Sequence, residues 1–364
     1  MKTIVFTGGH HNSALEVAKA LKPKYQIVWF GHKHTMKDDS SLSFEYQEVT
    51  EHNLQFIDLK SGKFYKPSQL REWARIPLGF MQAFQALSKI KPKLIVAFGG
   101  YLSPPVVLAG YLLGIPSVCH EQTTQAGLAN RFNSYFVKKV FLTWPESYQW
   151  FPMKKTVVTG LPLRKTAFGN LDPIVDFPTS RPTILVTGGK QGSHIINEVV
   201  GQSYPELLHK YNIIHQTGGL HKTNDFSRLG RLKEKLIPEQ QERLWLRKYF
   251  FQKEMCQALQ QSDLVVCRAG GHTVYELISL GKPCLLIPLR SSMTKEQISN
   301  AQKAKNLGIG EVLYEEQLSF KTLILKLEEM IKNLDHYRLA GEKAKKSIKR
   351  NATKLIVAEI EKLL

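Results

Sequence analysis

A chain of 364 residues carries 50 Lys and Arg against 31 Asp and Glu, a net charge of +19, with 43% hydrophobic residues. That length suits two domains, and the apolar content is ordinary for a globular protein, which excludes a disordered or fibrous chain. The positive balance calls for an anionic partner: nucleic acid, an acidic membrane surface or a phosphorylated substrate.

The chain opens as MKTIVFTGGHH, which runs directly into a strand and shows neither the apolar core nor the cleavage site of a signal peptide. The four cysteines, Cys119, Cys256, Cys267 and Cys284, have no C-x-x-C spacing. They read as buried thiols of a reducing compartment, so a cytoplasmic location is expected.

The stretch Ser61 to Pro92 is basic and aromatic, and its later part has helical periodicity, with Trp73, Ile76, Phe80, Met81, Phe84 and Leu87 toward one side. Leu94 to Cys119 is uncharged and long enough to span a bilayer, but Gly99-Gly100, Pro104-Pro105 and Gly114-Ile115-Pro116 interrupt it. These divide it into strand, glycine loop, helix from Ser103 or Pro104, stop and strand: a buried βαβ unit.

The two halves repeat one another. TIVFTGG from Thr3 recurs as TILVTGG from Thr183, each leading into a helical pattern. FGGYLSPPVVLAGYLLGIP in the first half has the layout of RAGGHTVYELISLGKP in the second: strand, Gly-Gly, helix, Leu-Gly-x-Pro, strand. Alternating strands and helices imply parallel sheets with crossover helices. Ligands of such sheets bind at the carboxyl ends of the strands, where the four glycine loops fall. The boundary is expected in the Pro-rich, aperiodic stretch Gly160 to Pro182, and after Glu311 the chain turns helical and lysine-rich.

The stretch CRAGGHTVYELISLGKP admits two readings. Thr273 and Glu276 have capping-box spacing at a helix start. The same strand, glycine turn and helix N-terminus also form an anion site, because unpaired N–H groups and the helix dipole favour negative charge. No glycine loop is a P-loop or a full G-x-G-x-x-G, and there are no metalloprotease or serine-hydrolase signatures. With no Asp-x-Asp pair to hold a metal on a diphosphate, a leaving diphosphate would be stabilised by helix N-termini and cations. The candidates are Lys190, Arg164 and the backbone from Gly270 to Thr273.

In shared order and spacing, TGGHH with SALEVAKAL, SGKFYK, FGGYLSPP, CHEQTTQAGLANRF, GLPLR, TGGKQGSHIIN, HQTGG, VVCRAGGHTVYE and EQISNA resemble the MurG family of GT-B glycosyltransferases over nearly the whole chain. The resemblance implies an α/β fold of GT-B architecture: two Rossmann-like doubly wound domains facing a cleft. Residues 1–163 would form the acceptor and membrane side and 164–344 the UDP-GlcNAc side, with the C-terminal helix 345–364 returning to the first domain. It implies an inverting transfer of GlcNAc from UDP-GlcNAc to lipid I, forming lipid II of peptidoglycan, without a metal or other cofactor.

The family's roles then fall on this chain by position. His10 would be the general base, a role suited to an imidazole. Thr7, Gly8 and Gly9 would face the diphosphate and acceptor, with Glu121 and Thr123 on the acceptor side. Arg164 would pair with phosphate or sugar. Gly271, His272 and Thr273 would lie on the α-phosphate, Glu276 on the ribose and Gln297 on GlcNAc. Backbone near Phe251 and Gln252 would read uracil, and Lys190 would supply a charge. The chain departs from the family pattern at Val5 and Phe6, where glycines are usual, at Ser13 for Pro, Thr123 for Asn and Lys190 for Ser.

The positive charge would serve a lipid acceptor in an acidic leaflet, with Lys63 to Phe84 as the membrane contact and the enzyme peripheral on the cytoplasmic face. Nucleic acid is not expected, because no binding module is present. The alternatives are a GT-B transferase with a different lipid-linked acceptor, a UDP-GlcNAc 2-epimerase, and a non-catalytic subunit that only binds a nucleotide sugar.

Overall fold

The computed structural model describes residues 1–34, 42–62, 75–178, 180–219, 223–289 and 296–364, without the side chains of 165 and 166. The chain divides into two compact units. One comprises Met1–Arg164 with Lys349–Leu364, the other Lys165–Ile348.

The first unit is a seven-stranded parallel sheet. Its strands are β1 (Thr3–Thr7), β2 (Gln26–Gly31), β3 (Gln55–Asp58), β4 (Leu94–Ala97), β5 (Ser117–Glu121), β6 (Lys139–Leu142) and β7 (Thr156–Val158). Their order is β3-β2-β1-β4-β5-β6-β7. The central strands read as near-continuous apolar runs because helices cover both faces. Ile4, Phe6, Trp29 and Val96 pack on one face; Val5, Val28, Phe30 and Ile95 on the other. The helices are α1 (His11–Leu21), α2 (Phe44–Glu51), α3 (Arg75–Ile90), α4 (Ser103–Leu112) and α5 (Leu128–Phe136).

The uncharged stretch from Leu94 to Cys119 is β4, α4 and part of β5, as its glycines and prolines predict. No helix among the described residues is long and apolar enough to cross a membrane. In α3, Gly79, Ala83 and Leu87 form the buried stripe. Met81 is 54% exposed, contrary to the expected apolar side. The small residues Gly79 and Ala83 set which face meets the sheet: a Cβ on Gly79 would stand 2.5 Å from Ser61 Cβ. Trp73 lies outside the described residues.

The second unit has strands β8 (Thr183–Thr187), β9 (Asn212–Gln216), β10 (Leu244–Arg247), β11 (Leu264–Cys267), β12 (Cys284–Leu286) and β13 (Gly310–Val312). All are parallel, in the order β10-β9-β8-β11-β12-β13. Its helices are α6 (His194–Lys210), α7 (Asp225–Glu234), α8 (Pro238–Glu242), α9 (Gln252–Gln261), α10 (Gly271–Leu280), α11 (Glu296–Asn306), α12 (Phe320–Lys332) and α13 (Leu334–Lys346). The last helix, α14 (Ala352–Glu361), belongs to the first unit, where Ile356 and Ile360, one turn apart, enter the core with Ile4 and Phe6. All four cysteines are buried free thiols. Burial holds the Cys119, Cys267 and Cys284 thiols well above the ordinary range, so they are inert at neutral pH.

Candidate functional site

In both units the strand order reverses beside the first strand, between β1 and β4 and between β8 and β11. Such a switch point opens a crevice at the carboxyl ends of the strands. Each of these four strands runs into a glycine turn there.

In the first unit the turns after β1 and β4 touch through their backbones. Gly9 N donates to Gly99 O at 3.0 Å. Gly100 has φ +73, and a Cβ on it would lie 2.6 Å from Gly9 N, so only glycine fits. A Cβ on Gly8 would meet Phe98 at 2.7 Å. Thr7 is fully buried at the end of β1.

His10 occupies the N-cap position of α1 but makes no side-chain cap bond. Its ring lies against the Gly99 turn, and desolvation, then the neighbouring His11, pushes its pKa from 6.5 down to about 4. The imidazole is therefore neutral at pH 7, as a proton acceptor must be, while keeping part of its surface open.

The segment after β5 is held from within. Glu121, 2% exposed, accepts from Thr123 N (3.1 Å), Thr123 Oγ1 (3.1 Å), Gly127 N (3.0 Å) and Asn130 Nδ2 (3.1 Å). The Thr123 hydroxyl is shared with Gln125 O at 2.7 Å. Both side chains turn inward and shape the 121–127 loop. Asn130, not singled out from the sequence, ties that loop to β5 by also donating to His120 O at 2.8 Å.

His120 is also buried, stacked on Phe98, with Nε2 donating to Gly160 O at 3.0 Å; burial lowers its pKa to about 4. Its Nδ1 has no hydrogen-bond partner among the described residues. Arg164, half-buried, is the last residue of the first segment of this unit.

In the second unit the loop Gly188–Ser193 joins β8 to α6. Gly189 and Gly192 have φ +84 and +89, and a Cβ on Gly192 would stand 2.0 Å from Thr217 O. Lys190 is half-buried, and its carbonyl accepts from Gly219 N at 3.0 Å.

At the end of β11, Gly270 is the N-cap of α10, with extended φ −64 and ψ 143 and no side-chain cap bond. The first intrahelical bond runs from Val274 N to Gly270 O (3.0 Å). The amides of Gly271, His272 and Thr273 therefore form the helix's opening turn, where an anion is favoured.

The capping-box reading of Thr273 and Glu276 is overturned. The helix begins before Thr273, which takes a position inside the first turn. Glu276 follows one turn in, 4% exposed. Gly270 adopts the extended N-cap conformation unaided, so the helix start needs no hydroxyl. Arg268 reaches under this turn to Ile287 O (3.1 Å) and Glu315 Oε1 (2.5 Å), and Asn300 Nδ2 holds Ala269 O at 3.1 Å.

Gln297, on α11, accepts from Leu289 N at 2.9 Å. Gln252 opens α9, and the N–H of the preceding Phe251 donates to Glu254 Oε2 at 2.8 Å. Thus Lys190, the Gly271–Thr273 turn and Glu276 follow the adjacent strands β8 and β11, while Gln252 follows β10 and Gln297 lies on α11 beyond β12. Among the described residues no group of three His, Cys, Asp or Glu stands in metal-holding geometry.

Comparison with known proteins agrees with this construction. Residues 3–142 match the glycosyltransferase family 28 N-terminal domain, and 183–359 match the family's C-terminal domain. A Clostridium botulinum protein named UDP-N-acetylglucosamine–N-acetylmuramyl-(pentapeptide) pyrophosphoryl-undecaprenol N-acetylglucosamine transferase is 32% identical, across 98% of this chain and 99% of its own. A Bacillus cereus protein of the same name, numbered 2, is 31% identical across 96% and 99%. The crystal structure of Acinetobacter baumannii MurG aligns over 100% of both chains with a TM-score of 0.72 at 25% identity. A UDP-GlcNAc 2-epimerase from Neisseria meningitidis, bound to UDP-GlcNAc, aligns over 100% of both chains at 0.66 with 17% identity, and shares the fold alone.

Proposed function

The chain belongs to glycosyltransferase family 28, and within it to the MurG family; we propose that it transfers GlcNAc from UDP-GlcNAc to lipid I, giving lipid II. The observation that carries this reading is the paired construction at the end of the second sheet. Adjacent strands β8 and β11 each deliver a glycine turn and a helix N-terminus to one edge. Two helix N-termini, with their dipoles and opening-turn amides, suit a diphosphate, and Lys190 adds a charge.

The mechanism is a single displacement with inversion. His10 accepts the proton of the acceptor hydroxyl as it attacks C1, and the bond from C1 to the diphosphate oxygen breaks. UDP departs with that electron pair, stabilised by the Gly271–Thr273 amides, Lys190 and Arg164. Glu276 accepts from the ribose hydroxyls, Gln297 engages GlcNAc, and backbone at Phe251 and Gln252 reads uracil. Thr7, Gly8 and Gly9 border the acceptor, with Glu121 and Thr123 shaping the loop beside it. No step calls for a metal.

The same reading places the protein on the cytoplasmic face of an anionic membrane. Supporting it, the outer surface of the first unit exposes Leu78 and Met81 on α3, Tyr111 at the end of α4, and Leu128 and Tyr135 on α5. Helices α3, α4 and α5 pack in sequence, with Arg75 and Lys89 on α3 and Arg131 on α5. Apolar side chains among bases match an acidic leaflet, each base contributing about 1 kcal/mol. Lys63, Lys66 and Arg71 lie outside the described residues.

UDP release from UDP-GlcNAc, with and without a short-tailed lipid I analogue, tests the reading in the unaltered chain, His10→Ala and Glu276→Ala. Release should require the analogue and collapse in both variants. UDP-GlcNAc binding without analogue-dependent release would point to another lipid-linked acceptor. No binding would overturn the donor site.

A further inference from the structure

Gln216 ends β9, the strand between β8 and β10, and its register partners are the last residues of both, Thr187 and Arg247. It is 1% exposed, and its amide makes three hydrogen bonds. Its Nε2 donates to Thr187 Oγ1 (2.9 Å) and Gly189 O (2.9 Å), and its Oε1 accepts from Phe250 N (2.9 Å). The amide has one orientation, because Gly189 O can only accept and Phe250 N can only donate.

Each end of this bridge is firmly held. The Gly188–Ser193 loop crosses the 217–219 turn so closely that a Cβ on Gly218 would lie 2.1 Å from Gly192 N. Gly218 N donates to Lys248 O at 2.7 Å. On the other side, Phe250 is 3% exposed and stacks on Trp245, ring centroids 5.2 Å apart and 10° from parallel. The chain then turns at Phe251 into α9.

We infer that Gln216 is the positioning residue that fixes the distance between the phosphate-side glycine loop and the base-reading segment that opens α9. This rests on the donor reading above, with the diphosphate at the first and uracil at the second. Gln216 touches neither. It holds their two protein segments through one rigid planar group, so that both ends of UDP are met in register without reorganisation on binding. Only glutamine supplies two donors and an acceptor in this plane at this length; asparagine is one methylene short.

The test compares UDP, uridine and inorganic pyrophosphate binding to the unaltered chain, Gln216→Met and Gln216→Glu. Methionine keeps the volume and breaks all three bonds. Glutamate keeps the acceptor for Phe250 N and sets an oxygen against Gly189 O, releasing only the phosphate-side loop. UDP affinity should fall about 10-fold in both variants, while uridine and pyrophosphate each change less than twofold, because the half-sites survive and only their spacing is lost.

Unchanged UDP affinity in either variant overturns the inference. So does a parallel loss for UDP and both fragments, which marks general damage. If the methionine variant does not fold, the glutamate variant carries the test. An unaltered chain that binds no UDP would sink the donor reading rather than this role.

Discussion

Gly192→Ala is the sharpest probe of the proposed donor loop, because its cost divides into two separable parts. The first is backbone strain. At φ +89 an L-residue sits in the left-handed region, which costs about 1–2 kcal/mol. The second is collision: the new Cβ would stand 2.0 Å from Thr217 O, more than an ångström inside ordinary contact.

Thr217 cannot yield cheaply. Its N–H donates to Arg247 O at 3.0 Å, and its carbonyl accepts from Asn197 Nδ2 at 2.8 Å. The glycine loop must therefore move. A misplacement of about 1 Å at a reacting group costs on the order of 100-fold in rate. Gly114→Ala supplies the comparison: φ is +70, but nothing lies within 4 Å of the added Cβ.

Gly114→Ala should lose about 1 kcal/mol of stability and keep its kcat/KM for UDP-GlcNAc. Gly192→Ala should lose roughly 3 kcal/mol and, on the order of 100-fold, its kcat/KM. Thermal unfolding and UDP release under saturating acceptor measure both. A Gly192→Ala enzyme that turns over UDP-GlcNAc like the unaltered chain would refute the crossing of the two turns as the reason for glycine.

Four further outcomes are expected. His10→Gln should lower kcat by about 100-fold or more with UDP affinity unchanged. In the unaltered enzyme the acid limb of kcat/KM should fall near pH 4, where His10 gains its proton, and a midpoint at 6.5 would contradict the burial argument. Glu121→Ala strands the loop's buried N–H donors, loosening the 121–127 loop by about 3 kcal/mol; acceptor turnover should fall while UDP affinity, which the proposed donor site assigns to the other unit, stays.

His215, fully buried between Tyr204 and Asn197, has its pKa lowered by burial to about 3. The unfolded chain binds the proton near 6.5 and the folded chain does not, so stability is full above pH 6.5 and is lost as pH falls. By pH 5 this site alone removes about 2 kcal/mol. Urea unfolding at pH 7 and 5 should show His215→Asn losing that much less than the unaltered chain.

Much of this protein was legible in its sequence because the signals are local. Strands β1 and β8 announce themselves as β-rich runs ending in Thr-Gly-Gly, and the stop at Gly114-Ile115-Pro116 separates α4 from a transmembrane reading. The glycines could be named as turns because positive φ and close backbone approach belong to the residue itself. What failed or went unseen depended on neighbours distant in sequence.

Thr273 and Glu276 carry a capping spacing, yet the helix starts at Gly271, because β11 delivers the chain already in the N-cap conformation at Gly270. Met81 fits the apolar period of α3 but faces outward, since Gly79 and Ala83 decide which side can approach the sheet. Gln216 and Asn130 look like ordinary polar residues; only a sheet that brings β8, β9 and β10 to one edge, or folds the 121–127 loop back on β5, gives them partners. The sequence by itself determined the alternation of elements, the glycine turns and the family, all written in short-range pattern. The tertiary structure alone decided which polar side chains turn inward to hold those turns, because a hydrogen bond needs a partner within about 3 Å, and chain order does not fix that distance.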